Sequence, residues 1–164
     1  MSVSFWERCL ELCLHMIWPV SCPVCGLMGS VLCPSCLRSL LKKPQLPRCL
    51  WCGKTIPCGV HGGGALIRAG AIYEHDMREI ILMLKHGGYR ALGFRLGRGL
   101  AEVFPRPGVD VLVPVPLHRR SPRRYNQAEA IALGLGEAWG VDVWNAARWA
   151  RDVNTRAGMN AAGR

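Results

Sequence analysis

The chain has 164 residues, half of them hydrophobic, with 21 Lys and Arg against 11 Asp and Glu, for a formal net charge of +10. That length holds one ordinary domain, or a small domain joined to part of a second, and that apolar content excludes wholesale disorder. The basic excess points to polyanionic partners: nucleic acid, phosphorylated small molecules or an anionic membrane surface.

In chain order, residues 1–20 read as an amphipathic helix. Trp6, Leu10, Cys13, Leu14 and Ile17 recur at helical spacing, while Glu7, Arg8 and Glu11 interrupt them. The two glutamates argue against a secretory signal, and no stretch reaches the roughly 20 apolar residues that span a bilayer. A cytoplasmic location with reduced thiols is expected.

Residues 21–64 form a cysteine-rich (double) zinc ribbon. Cys22-Pro-Val-Cys25-Gly and Cys33-Pro-Ser-Cys36 are two knuckles, Cys49-Leu-Trp-Cys52-Gly is a third, and Cys58-Gly-Val-His61 makes a fourth. Two residues between ligands let both turn toward one ion, and a glycine after the pair permits the tight turn. Seven cysteines and His61 supply eight ligands, enough for two tetrahedral zinc sites. The donors are mostly thiolates, which close the coordination sphere, so one or two structural zinc ions are expected. The spacing leaves open which knuckles share an ion. Cys9 and Cys13 fit as small buried thiols on the first helix.

Gly62-Gly63-Gly64 marks a joint, after which residues 65–164 form a second unit. A strand is expected over 65–73. Asp76 and Glu79 form a start signal of the capping-box type for a helix running to about His86. A further helix covers roughly 91–104, a buried apolar strand 109–114, a helix 126–138 and a short strand 141–144. Strand, helix and strand with compact loops argue for a parallel α/β unit.

The segment after the apolar strand carries most of the chemistry. Pro114 and Pro116 end the strand because neither can donate a ladder hydrogen bond. His118, Arg119, Arg120, Arg123 and Arg124 follow, then Asn126 and Gln127 at the next helix start. Loops at the carboxyl ends of parallel strands place ligands, and helix N-termini offer free N–H groups to anions. Guanidinium forks pair with phosphate oxygens, so a phosphorylated ligand or single-stranded DNA is the expected partner. Tyr125 or Trp51 could stack on bases, and Asn126 could equally be a plain helix cap.

Knuckled cysteines, then "LKHGGYR", then "PVPLHRRSPRRYNQA" resemble the ComF family, phosphoribosyltransferase-like proteins associated with competence, transformation and DNA uptake. The resemblance runs from Cys22 to about Arg156. Arg123-Arg124-Tyr125-Asn126-Gln127 stands where the family typically has Arg-Gly-Phe-Asn-Gln, and Lys85 matches a lysine of its Leu-Lys motif. The resemblance implies a small zinc ribbon joined to a partial type I phosphoribosyltransferase-like parallel sheet with helices. It implies a basic phosphate or single-stranded-DNA loop, with DNA-uptake proteins as partners. No acidic strand end with a Thr-Gly-rich loop follows, so the chain is expected to stop before the phosphoribosyl pyrophosphate-binding loop. The alternatives are an amidophosphoribosyltransferase-like enzyme and a zinc-ribbon interaction module without a ligand.

Overall fold

The computed structural model describes residues 20–41, 46–62, 66–119 and 121–150. The amphipathic segment expected over residues 1–20, with Cys9 and Cys13, falls outside them except for its last residue. Arg120 and residues 151–164 also fall outside. The described residues form a mixed α/β structure with four helices and two small sheets.

Helix α1, Pro34–Leu40, begins directly on a metal-ligand candidate. Cys33 is its N-cap in extended conformation, and Pro34 occupies the first turn, where its missing N–H costs nothing. Strand β1, Arg48–Cys49, pairs antiparallel with β2, Leu66–Ile67. Helix α2 spans His75–His86 and buries Met77, Ile80 and Leu84. Helix α3 is Arg90–Val103. Strand β3, Val111–Leu112, runs parallel to β4, Asp142–Val143, and helix α4, Gln127–Trp139, connects them.

One hydrophobic core serves both halves of the chain. Cys22, Leu32, Cys33, Cys36, Leu37 and Leu41 from the cysteine-rich half pack with Met77, Ile80, Leu84, Leu92 and Leu96 from the helical half. Helix α3 makes this possible because it approaches its neighbours unusually closely. A methyl group on Gly97 would fall on the Ile131 carbonyl oxygen, and one on Gly134 would fall on that of Phe94. On another side of α3, a methyl on Gly99 would meet the Leu37 and Leu41 side chains of the α1 region at 2.7 Å. Only glycine allows backbones this near to each other.

Several sequence expectations need correction. The strand expected over 65–73 shrinks to two residues, and it pairs with β1 in the cysteine-rich half. Beyond it, Gly70 passes against Leu100 and Phe104 of the α3 end, so the chain continues as a loop. The strand expected over 109–114 pairs only at Val111 and Leu112, both half-buried, while Val113 is exposed. Its ladder is limited by the short β4 and by Pro114, which has no N–H. The capping box at Asp76 and Glu79 does not form: the helix starts two residues earlier than that signal places it, with Glu74 as an N-cap that makes no side-chain bond. Asp76 lies inside the first turn, where its charge favours the helix dipole.

Gly97→Ala and Gly134→Ala should each destabilise the protein by about 1–3 kcal/mol in urea unfolding, the usual cost of overpacking. Gly108→Ala, where nothing lies within 4 Å of the added carbon, should be close to neutral.

Candidate metal centres and basic loop

Three of the four knuckles share one backbone design. The Gly26 N–H donates to the Cys22 carbonyl at 2.8 Å, Gly53 to Cys49 at 2.9 Å, and Gly62 to Cys58 at 3.0 Å. All three glycines adopt the left-handed conformation, with φ of 74°, 71° and 61°. That turn aims the first and fourth side chains of each segment inward. The remaining knuckle, Cys33–Cys36, has no such glycine and uses the first turn of α1 instead, with the Leu37 N–H donating to the Cys33 carbonyl at 2.9 Å.

The ligand candidates gather into two groups of adjacent knuckles: Cys22, Cys25, Cys33 and Cys36, and Cys49, Cys52, Cys58 and His61. Within each group all donor atoms lie within 4.8 Å of one another. Cys25 Sγ is 3.6 Å from Cys33 Sγ, and Cys52 Sγ is 3.5 Å from Cys58 Sγ. His61 presents Nδ1, 3.7 Å from Cys49 Sγ and 3.6 Å from Cys58 Sγ. A tetrahedron with metal–sulfur bonds of about 2.3 Å has edges of roughly 3.8 Å, so these separations suit one ion per group. They are far longer than the about 2.05 Å of a disulfide. The described cysteines are free thiols.

The two groups differ in setting. Cys22, Cys33 and Cys36 belong to the hydrophobic core, whereas no member of the second group does. In that second group Cys52 and His61 are exposed.

In each group a thiol pKa is lowered, that of Cys33 and of Cys58, and another is raised, that of Cys36 and of Cys52. The Ser35 hydroxyl, 3.2 Å from Cys33 Sγ, and the Cys36 backbone hold the Cys33 thiol down at about 6. The His61 and Val60 backbone N–H groups hold Cys58 at about 6. Hydrogen bonding to Cys33 and burial push Cys36 up to about 12, so it gives up its proton only to a metal.

The basic loop runs from Val113 to Asn126. It leaves the carboxyl end of β3 and enters the N-terminus of α4. Asn126 is the helix cap, accepting from the Ala128 N–H at 3.1 Å, and its amide donates to the Val115 carbonyl at 2.9 Å. Arg119 and Arg124 are exposed. Arg123 is half-buried and donates through Nη1 to Gln127 Oε1 at 3.2 Å, while Gln127 donates to the Tyr125 carbonyl at 3.0 Å. The Tyr125 hydroxyl donates to the Leu84 carbonyl at 2.7 Å, which ties the loop to α2 beside Lys85. Burial raises the Tyr125 phenol above its ordinary value, and Arg90 opposes that shift.

Two contacts of this loop have no signal in the sequence. Trp149 donates from Nε1 to the Pro116 carbonyl at 3.0 Å, and its ring meets His118 edge-on with centroids 5.5 Å apart. His118 is therefore a packed residue as well as a candidate ligand. No family model, no curated protein and no solved structure matches the chain.

Purified protein should carry close to two metal ions per chain by plasma mass spectrometry, one for each group. Cys22→Ser should unfold the protein, because a structural metal contributes about 10–16 kcal/mol against a total stability of about 5–15. Cys52→Ser, outside the core, should lose one ion and leave the helical content intact. Metal affinity should fall as pH falls, and more steeply below about pH 6, where Cys33 and Cys58 must also be deprotonated.

Proposed function

We propose that the chain is a ComF-like DNA-uptake protein. In this reading two structural zinc ions shape its cysteine-rich half, and the loop 113–126 holds the phosphate backbone of single-stranded DNA. Thiolate-rich, four-donor sites with tetrahedral edges suit zinc, and a filled coordination sphere leaves it no open position for catalysis. The order of the cysteine knuckles, the Lys85 segment and the arginine loop supports the family reading.

The observation that carries the DNA reading is the placement of the loop. It lies between the carboxyl end of a parallel strand and a helix N-terminus, the position where α/β proteins gather anions. Arg119 and Arg124 are open to solvent there. Arg123 spends one N–H on Gln127 and keeps its other donors. The Tyr125 bond to Leu84 brings the Lys85 end of α2 to the same loop. The same placement supports a second reading, a compact phosphorylated ligand of phosphoribosyltransferase type.

Arg119→Ala combined with Arg123→Ala should weaken binding of an oligothymidylate and lower its log–log salt slope by up to about two units. Metal content should stay unchanged. Affinity that grows with oligonucleotide length supports a DNA track, while length-independent binding supports the compact ligand. Unaltered affinity in the folded double mutant rejects the loop as the contact.

A further inference from the structure

The cysteine-rich half has a charge pattern that its metal sites alone do not require. Between Glu11 and Glu74 the sequence contains no carboxylate side chain, while Arg38, Lys42, Lys43, Arg48, Lys54 and Arg68 all fall in that interval. With a divalent ion bound, thiolate ligands would offset part of this charge, most strongly in the first group with its four cysteines. The second group, with three cysteines and His61, would offset less.

At this second centre a large aromatic side chain points outward. Trp51 lies between the ligands Cys49 and Cys52 and is 70% exposed. Val60 lies between Cys58 and His61 and is 72% exposed. Because all four donors converge, the two knuckle tips are held at the same small centre. Arg48 folds its guanidinium against the base of the Trp51 knuckle, donating to the Gly53 carbonyl at 3.1 Å. Lys54 follows that knuckle and is exposed. Arg68, also exposed, directly follows Ile67, the residue paired with Arg48 across β1 and β2.

An exposed indole on a knuckle that Arg48 braces and Lys54 follows, without a carboxylate in the segment, suits a ligand that is both flat and anionic. A purely apolar partner would leave the cations unmatched, and a simple phosphate would leave the indole unused. A stretch of unpaired nucleotides satisfies both: bases stack on aromatic faces while Lys and Arg follow the backbone. We infer that the second metal centre presents a base-stacking platform for single-stranded nucleic acid, with Trp51 as the stacking residue and Arg48, Lys54 and Arg68 as backbone contacts. Tyr125, the other aromatic candidate, has its hydroxyl bonded to Leu84 and its ring half-buried, which leaves the stacking role to Trp51. The inference rests on the single-stranded DNA reading above and adds a second contact surface to it.

The metal-loaded full chain is titrated with oligothymidylate and, separately, with inorganic polyphosphate, which has charge but no bases. Trp51→Ala should weaken oligothymidylate binding about five-fold or more, the usual loss of one stacked base, without changing the salt slope. Polyphosphate affinity and metal content should not change. Trp51→Phe should retain most of the affinity. Trp51→Leu, which keeps apolar bulk without a ring, should behave like alanine and replaces it if Trp51→Ala loses metal. Arg48→Ala with Lys54→Ala should lower the salt slope by up to about two units.

Wild-type affinity for oligothymidylate in Trp51→Leu overturns the platform, as does an equal loss for oligothymidylate and polyphosphate. Absence of oligothymidylate binding by the wild-type chain overturns it too. If the Trp51 variants lose affinity while Arg119→Ala with Arg123→Ala does not, the platform stands and the loop reading alone fails.

Discussion

Helix α3 is the member against which the other three described helices are placed. Its glycines remove the side chains that would hold neighbours at ordinary helix spacing. Gly93 and Gly97 admit the Ala130 and Gly134 face of α4, and Gly99 admits Leu37 and Leu41. Glycine inside a helix costs up to about 1 kcal/mol relative to alanine. Close packing on two sides, backbone to backbone against α4 and against the Leu37 and Leu41 side chains at Gly99, offsets that cost, because it brings Leu92 and Leu96 into the shared core. An ion pair between Arg98 and Glu137 at 3.3 Å spans the same crossing, but both partners are about half exposed and add little.

The loop and the metal centres depend on this arrangement in different ways. The first cysteine group is built into the core, so its geometry and the helix packing support each other. The second is attached through β1 and β2 and keeps two ligands at the surface. The basic loop is held at several points: by Asn126 to Val115, by Tyr125 to Leu84, and by Trp149 to Pro116. Arg119 and Arg124 are therefore carried on a tethered backbone with their side chains in water, while Arg123 is half-buried against Gln127.

Local features were legible in the sequence to the extent that they are decided locally. Cysteine spacing named the eight gathered ligand candidates because two intervening residues and a glycine are a purely local requirement. His61 could have been read with the same assurance from Gly62, which repeats the role of Gly26 and Gly53. Which knuckles share a centre was not legible, since spacing is silent on the pairing of distant segments. Helices α2, α3 and α4 were legible, with ends within a residue or two, whereas the short α1 was not, because its first turn lies inside a cysteine knuckle. Strand lengths did not, because each strand extends only as far as its partner, and β2 found its partner in the cysteine-rich half. Gly93 with Gly97 and Ala130 with Gly134 offered a readable signal of a close crossing, four residues apart on both helices. Neither the Tyr125 bond nor the Trp149 contact had such a signal, as both join segments distant in sequence.

The position of the first cysteine group in the chain bears on how the protein is made. Its last ligand, Cys36, leaves the ribosome well before Met77, Ile80, Leu84, Leu92 and Leu96, which will later enclose three of its four sulfurs. During synthesis the thiols are thus presented to solvent while their shelter does not yet exist. Contacts close in sequence form early, and exposed apolar surface on an incomplete chain invites aggregation. Metal capture at this stage would order the nascent segment and leave Leu32 and Leu37 as a prepared surface for the helices that follow. If this group holds a metal, a cell short of it would fail at synthesis first, with fewer chains reaching the folded state.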